Sequence, residues 1–354
     1  MDNLYLIGID LAKNIFHLHG VDNEGREVFK KKLRRDKLLS FVASLPKVKI
    51  ATESCGGSNY FHHKFTSFGH EAMQIPAQFV KPYVKSNKND EIDAAAICKA
   101  AFDPDMRFVS PREPWQQDIM NVHRIRSRLV KQRTALSNEI RGFLLEYGIS
   151  CAVGLSYLKL KLRDILISNT HSLSSDFNKQ VFAKLYKELL SLEEEVASYD
   201  VMIKTIYDSN PLCQKLTKIP GIGIITATAL VGEIGNGSNF KNGRELSSYI
   251  GLVPRQHSSG GKQRLLGISK RGNRYLRTLL IHGARSILST TKRREQKAHK
   301  SESEFSKNIR LSNWFRELRL RKEDNVAVVA LANKLGRICW AVLNKEESYN
   351  SNRK

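Results

Sequence analysis

The sequence predicts an α/β domain followed by long helices and a basic, mainly helical C-terminal module. Three observations carry that reading. Five short apolar runs separated by turn signals fill the first 75 residues, two stretches of helical period occupy the middle, and a Pro-Gly-x-Gly turn joins two apolar helices near residue 220.

Leu4 to Ile9 is a β-rich apolar run that ends at Asp10 and reads as a buried central strand. Phe16 to Val21 and Val28 to Leu33 follow, with the turn Asp22-Asn23-Glu24-Gly25 between them, so the first three strands form an antiparallel meander. Lys37 to Leu45 has a helical period. Val48 to Thr52 is another apolar run and ends at Glu53. Tyr60 to Phe68 is a helix closed by Gly69, and Glu71 to Ile75 is a last strand before Pro76. The order β-β-β-α-β-α-β is that of a ribonuclease H-like fold.

Pro114 to Tyr147 and Ser174 to Tyr207 read as long helices. The first carries a basic cluster (His123, Arg124, Arg126, Arg128, Lys131, Arg133) suited to nucleic acid and equally to a solvated bundle face. The second repeats apolar residues near heptad spacing (Phe182, Leu185, Leu189, Leu192, Val196, Tyr199, Ile203, Ile206) and predicts an antiparallel or dimeric coiled coil whose role is assembly. Pro220-Gly221-Ile222-Gly223 then sits between apolar helices as a helix-hairpin-helix pattern. Its glycines, Gly221 and Gly223, would let backbone N–H groups approach a DNA phosphate without reading bases. A polar, Gly-rich loop from Gly251 to Arg264 leads through Lys270 and Arg271 into a basic helix with Arg274 and Arg277. These elements place domain boundaries at residues 1–110, 111–212 and 213–354.

The 354 residues include 58 Lys and Arg against 35 Asp and Glu, a net charge of +23. Self-repulsion of that size calls for an anionic partner, and nucleic acid is the commonest. Between Lys241 and Lys300, 15 basic residues meet only Glu245 and Glu295. That density exceeds what solubility needs and marks a phosphate-binding surface, with Arg255, Lys262, Arg264, Lys270, Arg271, Arg274 and Arg277 as its cations. Five cysteines without a CxxC pair argue against a zinc site or a disulfide framework and fit a reducing cytosol. The opening apolar run is too short for a signal or a membrane span, so a soluble, cytoplasmic protein is expected.

Carboxylates at strand ends suggest the chemistry. Asp10 terminates the first strand and Glu53 the fourth, while Asp90 and Asp93 open a helix at i, i+3 and share one of its faces. Any one of these alone is unremarkable at a strand end or helix start. Together in this context they fit Mg²⁺, a hard cation that takes oxygen ligands and can clamp the attacking and leaving oxygens of a phosphoryl transfer. Lys81, Lys85 and Lys88, with Tyr83 among them, precede that helix and suit a phosphate backbone held against the acids. Ser258 and Ser259 lie among cations in the Gly-rich loop. Such a serine attacks phosphorus only with an activating base or metal, and most loop serines merely shape turns.

Gly8-Ile9-Asp10-Leu11-Ala12-Lys13, Glu53 with Gly56-Gly57, Asn89-Asp90-Glu91-Ile92-Asp93-Ala94, Pro220-Gly221-Ile222-Gly223 and Gly251-Leu252-Val253-Pro254-Arg255 through Ser259-Gly260 occur in this order. Together they resemble the DEDD-type insertion-sequence transposases, the bridge-RNA-guided serine recombinases. The subgroup with Lys85-Ser86-Asn87-Lys88-Asn89-Asp90 and Gln256-His257-Ser258-Ser259-Gly260-Gly261-Lys262 is the best match. The resemblance implies a RuvC-type N-terminal domain, a coiled-coil connector and a C-terminal transposase domain. It implies a catalytic, metal-binding tetrad of Asp10, Glu53, Asp90 and Asp93, and Ser259 as the nucleophile that cleaves and rejoins DNA. Some relatives have an acid at the position of Ser258. The resemblance further implies a bacterial, nucleoid-associated protein, a structured noncoding guide RNA that chooses donor and target DNA, and a dimer or tetramer whose subunits share the active site. Two other readings of the same residues are a metal-dependent hydrolytic nuclease and a non-catalytic nucleic-acid binder.

Overall fold

Leu6–Asp10 (β1) and Ile15–Val21 (β2) are buried along almost their whole length, as expected of the most apolar runs in the N-terminal region. In the computed structural model they form the middle of a five-stranded sheet. The structure describes residues 3–84, 90–167, 175–259, 261–298, 309–345 and 349. The chain divides into two units, Met1–Glu113 and Pro114–Lys354.

In the first unit, Glu27–Arg34 (β3) continues the antiparallel meander and forms one edge. Arg35–Ala43 (α1) leads to Lys49–Glu53 (β4), which pairs in parallel with β1, and Ser58–Ser67 (α2) leads to Glu71–Ile75 (β5), parallel to β4. The strand order is β3-β2-β1-β4-β5. All five strands and both intervening helices fall where the sequence places them. After the short helix Ala77–Val80 (α3), Asp90–Ala101 (α4) packs on the sheet.

Alternation along the strands gives each face its own helices. Ile7, Ile9, Phe16, Leu18 and Ile50 face Leu38 and Val42 of α1 and Phe61 and Phe65 of α2. Leu6, Val21 and Ala51 face Ala96, Ile97, Cys98 and Ala100 of α4. Gly8 lies on this second face and has no room for a side chain. A Cβ there would stand 2.4 Å from the Ala94 carbonyl oxygen and 2.8 Å from Cys98 Sγ.

The second unit begins with Pro114–Glu146 (α5), Leu155–Ile167 (α6) and Asp176–Ser209 (α7). Arg126 meets Asp200 and Tyr147 meets Phe182, so α5 and α7 run antiparallel. The buried residues of α7 are Phe182, Leu189, Val196 and Ile203, one every seven. Leu158, Leu162 and Ile165 of α6 close the far end of the pair against Ile140 and Leu144.

Pro211–Leu216 (α8) and Ile224–Ile234 (α9) flank the Gly-rich turn, and Gly243–Ile250 (α10) precedes the strands Pro254–Ser259 (β6) and Lys262–Ile268 (β7). Arg274–Ala298 (α11), Ile309–Arg319 (α12) and Asp324–Asn344 (α13) follow. α13 is long and apolar enough by composition to cross a membrane. That apolar length packs into the core, where Ala327, Val328, Leu331, Leu335 and Cys339 are buried against α8 to α11.

Two readings from sequence are corrected here. The stretch Gly251 to Arg264 is not a loop throughout: from Pro254 onward it supplies β6 and the start of β7 of an antiparallel hairpin. His123 does not belong to a basic surface. It is fully buried, with Nε2 3.0 Å from Thr228 Oγ1 and Nδ1 3.0 Å from the Tyr275 hydroxyl. The Thr228 hydroxyl already donates to the Ile224 carbonyl, so Nε2–H donates to Thr228 and Nδ1 accepts from Tyr275. Burial, reinforced by the Arg126 charge, pushes the His123 pKa down to about 4, so the ring ties α5, α9 and α11 together in its neutral form.

Candidate active site and nucleic-acid interface

The parallel register carries Ile9 opposite Thr52, which puts Asp10 and Glu53 side by side at the ends of β1 and β4. Strand spacing separates neighbours by about 4.8 Å. Both residues share the parity of Gly8 and Ala51, so both lie on the face that α4 covers. Each is only partly buried. The thiol of Cys55 senses both: desolvation, then the charges of Glu53 and Asp10, push its pKa up.

The direction of α4 completes the arrangement. Phe102, just beyond its C-terminal end, packs in a tilted arrangement on Tyr5 at 5.9 Å between ring centroids, and Ala94 and Cys98 touch Gly8. The helix therefore runs antiparallel to β1, and its first turn, with Asp90 and the half-buried Asp93, lies toward the Asp10 end of the strand. Gly8 sets this position, because any side chain there would lift α4 and carry Asp93 away. The donor set is carboxylate oxygen only, which suits a hard divalent cation. Among the described side chains no three His, Cys, Asp or Glu groups are close enough to hold a metal.

The second candidate centre is the hairpin. Ser259 stands opposite Lys262 at its tip, beside Gly261, which has a φ of 74° that favours glycine. Ser258 stands opposite Gln263, and His257 opposite Arg264. Strand alternation therefore assigns Ser259 to the face of His257, Lys262 and Arg264, and Ser258 to the other face with Gln256 and Leu265. Gln256 Nε2 donates to Ser258 Oγ at 2.7 Å. Arg255, His257, Lys262 and Arg264 are all exposed.

The remaining predicted cations divide sharply. Lys81, Arg124, Arg128, Lys270, Arg271 and Arg274 are exposed. Lys85 and Lys88 lie outside the described residues. Arg126 is committed to Asp200 at 2.6 Å. Arg277 was grouped with the phosphate-binding cations, but it is 9% exposed and its Nη1 donates to the carbonyls of Ile250 and Arg271 at 2.7 and 3.0 Å. It braces the turn before α11. Gly221 has a φ of 78°, and a Cβ on it would stand 2.7 Å from the Gly283 carbonyl of α11. Close packing of that turn on α11 is therefore one reason for glycine there. Gly223 is the residue before α9 and has open space beside it.

Sequence reasoning passed over Lys32 and Arg34. The run Lys30-Lys31-Lys32-Leu33-Arg34-Arg35 was the available signal.

Residues 213–300 match the family described as Transposase IS116/IS110/IS902, and residues 7–149 match the IS110-type DEDD family, described as a transposase. The chain is 43% identical to a transposase for insertion sequence element IS1111A of Coxiella burnetii, over 99% of its own length and 92% of the relative's. The chain belongs to the IS110 transposase family. This transposase is also 40% identical to a probable family 20 transposase of Pseudomonas aeruginosa, over 98% of the chain and 99% of the relative. It is 39% identical to a transposase for element IS1328 of Yersinia enterocolitica, over 97% of each. Membership makes it a DNA-cleaving and rejoining enzyme of an insertion sequence, and its DEDD domain implies a ribonuclease H-like fold that uses a divalent metal.

Proposed function

We propose that this IS110-family transposase breaks and rejoins DNA through Ser259, working with a divalent-metal site of Asp10, Glu53, Asp90 and Asp93. The observation that supports this reading is that Asp10, Glu53 and the first turn of α4 lie toward the same end and the same face of the sheet. Mg²⁺ bound there would supply charge to polarise a phosphodiester and favour an ionised nucleophile.

The chain's own groups account for the rest. A serine hydroxyl is a weak nucleophile, and the hairpin provides no carboxylate to activate it. It provides cations on the register face of Ser259, Lys262 and Arg264, suited to a phosphate and to the charge that grows on it during attack. His257, two residues before the serine, shares that face and is a candidate to hold the serine proton. Attack forms a Ser259 Oγ–phosphorus bond and breaks the bond from phosphorus to one deoxyribose oxygen, which leaves carrying a proton as a free hydroxyl. Attack by such a hydroxyl on the phosphoserine reverses the step, so the broken linkage is conserved for rejoining. In this reading the serine hairpin of one subunit meets the carboxylates of another within a dimer or tetramer, so that cleavage waits for assembly. A structured noncoding bridge RNA would choose donor and target DNA. The motif resemblance supports that part, and a net charge of +23 would accommodate it.

The test is covalent trapping. Wild-type protein purified with its RNA and given element-end DNA is expected to give an adduct that survives denaturation. Ser259→Ala should give none and Ser258→Ala should retain it. Cutting by Ser259→Ala without an adduct would replace this reading with hydrolysis. Sequencing RNA that copurifies with the protein checks the guide: an RNA encoded beside the element is expected, and none above background would remove it from the proposal.

A further inference from the structure

Strand β3 is one edge of the sheet, and charge at such edges commonly guards against edge-to-edge pairing. Its charges here are sorted by face. Lys31 covers the Phe41 ring at 4.2 Å on the α1 side, and Lys30 pairs with Glu27 at 2.7 Å. Lys32 and Arg34 are exposed and, among the described residues, take no side-chain ion pair or hydrogen bond.

Register ties these two to the carboxylates. Asp10 pairs with His17, and His17 pairs with Lys32, so the three form one row across the sheet on the α4 face. Arg34 shares that face one step further toward the strand end, opposite Ile15. Two strand spacings put Lys32 about 10 Å from Asp10, roughly three nucleotides of axial rise along a DNA strand. Between them in that row lies His17, which is 7% exposed. Two surface cavities flank the same edge, one lined by His17, Leu18 and Lys30 to Lys32, the other including Arg34 and Arg35.

We infer that Lys32 and Arg34 hold two backbone phosphates of the DNA strand whose scissile phosphate lies at Asp10 and Glu53. The inference rests on the reading that those carboxylates engage DNA. A pocket of carboxylates repels a polyanion, and unpaired cations in the same row offset that repulsion on one side of the cut. The occupant is DNA because the row ends where the bond to be broken must sit. Charges that served only to keep the edge soluble would contribute nothing specific to affinity.

The experiment uses the full chain with its RNA and the double variant Lys32→Gln/Arg34→Gln. Lys37→Gln/Lys64→Gln, an equal charge loss on the α1 and α2 side, is the control. Affinity for oligothymidylate is measured against salt. The log–log slope of the first variant is expected to flatten by about 1.4, at roughly 0.7 per phosphate on a single strand. The control should keep the wild-type slope, and Lys32→Arg/Arg34→Lys should restore it. An unchanged slope in the first variant, or equal flattening in the control, overturns the inference. Flattening on oligouridylate but not on oligothymidylate assigns the strip to RNA and overturns it as well. Asp10→Asn/Glu53→Gln is run in parallel for element excision. Retained excision there fails the carboxylate reading, independently of the slope.

Discussion

The two candidate catalytic centres rest on opposite kinds of scaffold. Asp10 and Glu53 end strands whose remaining residues are almost all buried, and a glycine contact fixes the helix that brings Asp93. Ser259 ends a two-stranded ribbon whose side chains from Arg255 to Ser258 and Lys262 to Leu265 are exposed. A lone two-stranded ribbon is marginal in water and gains order from what it packs against. The candidate acidic centre is thus organised by folding, whereas the candidate serine centre gains order only from what docks on it. That division suits the proposed cleavage that waits for assembly.

The largest effects should come from the reacting groups themselves. Asp10→Asn, Glu53→Gln or Asp93→Asn, and equally Ser259→Ala, should each reduce strand exchange by on the order of 10³-fold or more, the scale of losing a group that stabilises transition-state charge. Melting temperatures should barely move. Mixing Ser259→Ala with Asp93→Asn subunits should recover cleavage if the centres come from different chains. No recovery in mixed oligomers would mean that each subunit completes its own site.

Next in size is a pH effect confined to the second unit. His123 is held neutral with its pKa at about 4, below the 6.5 of a free imidazole. The unfolded chain therefore binds a proton through the window from 6.5 down to 4 that the folded chain refuses. The stability this group contributes is present above about pH 6.5 and is lost as pH falls toward 4, by about 3 kcal/mol at the lower end. Wild type and His123→Gln should show denaturation midpoints that converge as pH is lowered through that window. Parallel pH dependences would contradict the assignment.

Gly8→Ala tests the rigid centre more directly. The new methyl would meet the Ala94 carbonyl and Cys98, costing about 1–3 kcal/mol as overpacking does, and would displace α4 from the strand ends. Activity should fall further than stability, because Asp93 moves with the helix. A variant that is destabilised yet fully active would show that the position of α4 is not critical.

Most of the first unit was legible in the sequence because its strands alternate or run apolar and its turns carry Asn, Asp and Gly. The same alternation hid the basic edge. Lys30, Lys32 and Arg34 look like an ordinary solvent face until the register puts Lys32 in one row with His17 and Asp10. The hairpin was missed for a complementary reason: His257-Ser258-Ser259 is polar on both faces, so no period marks it, although Gly260-Gly261 is a two-residue turn signal. His123 was grouped with neighbouring arginines by composition. Its spacing from Gln116, Ile119 and Met120, all buried, places it on the inner stripe of α5. Arg277 lies three residues beyond exposed Arg274 and turns inward only because two carbonyls of the preceding chain need donors.

The smallest expected effect is also the most exacting test of the exposed centre. Ser258→Ala removes a hydroxyl whose described partner is the exposed Gln256 amide, and Leu265→Ser alters a side chain that is 65% exposed. Neither change opens a cavity or leaves a buried group unpaired, so each should shift stability by no more than about 0.5 kcal/mol. Both residues share the register face opposite Ser259. If only the serine face meets DNA, strand exchange in both variants should stay within a few-fold of wild type. If the ribbon is instead ordered by a partner gripping both faces, stability of the free protein will still be unchanged, but exchange will fall in Leu265→Ser, where exposed apolar surface is lost. Measuring exchange and melting together for these two variants therefore tells which surface of the ribbon does the docking, with the folded core untouched in either case.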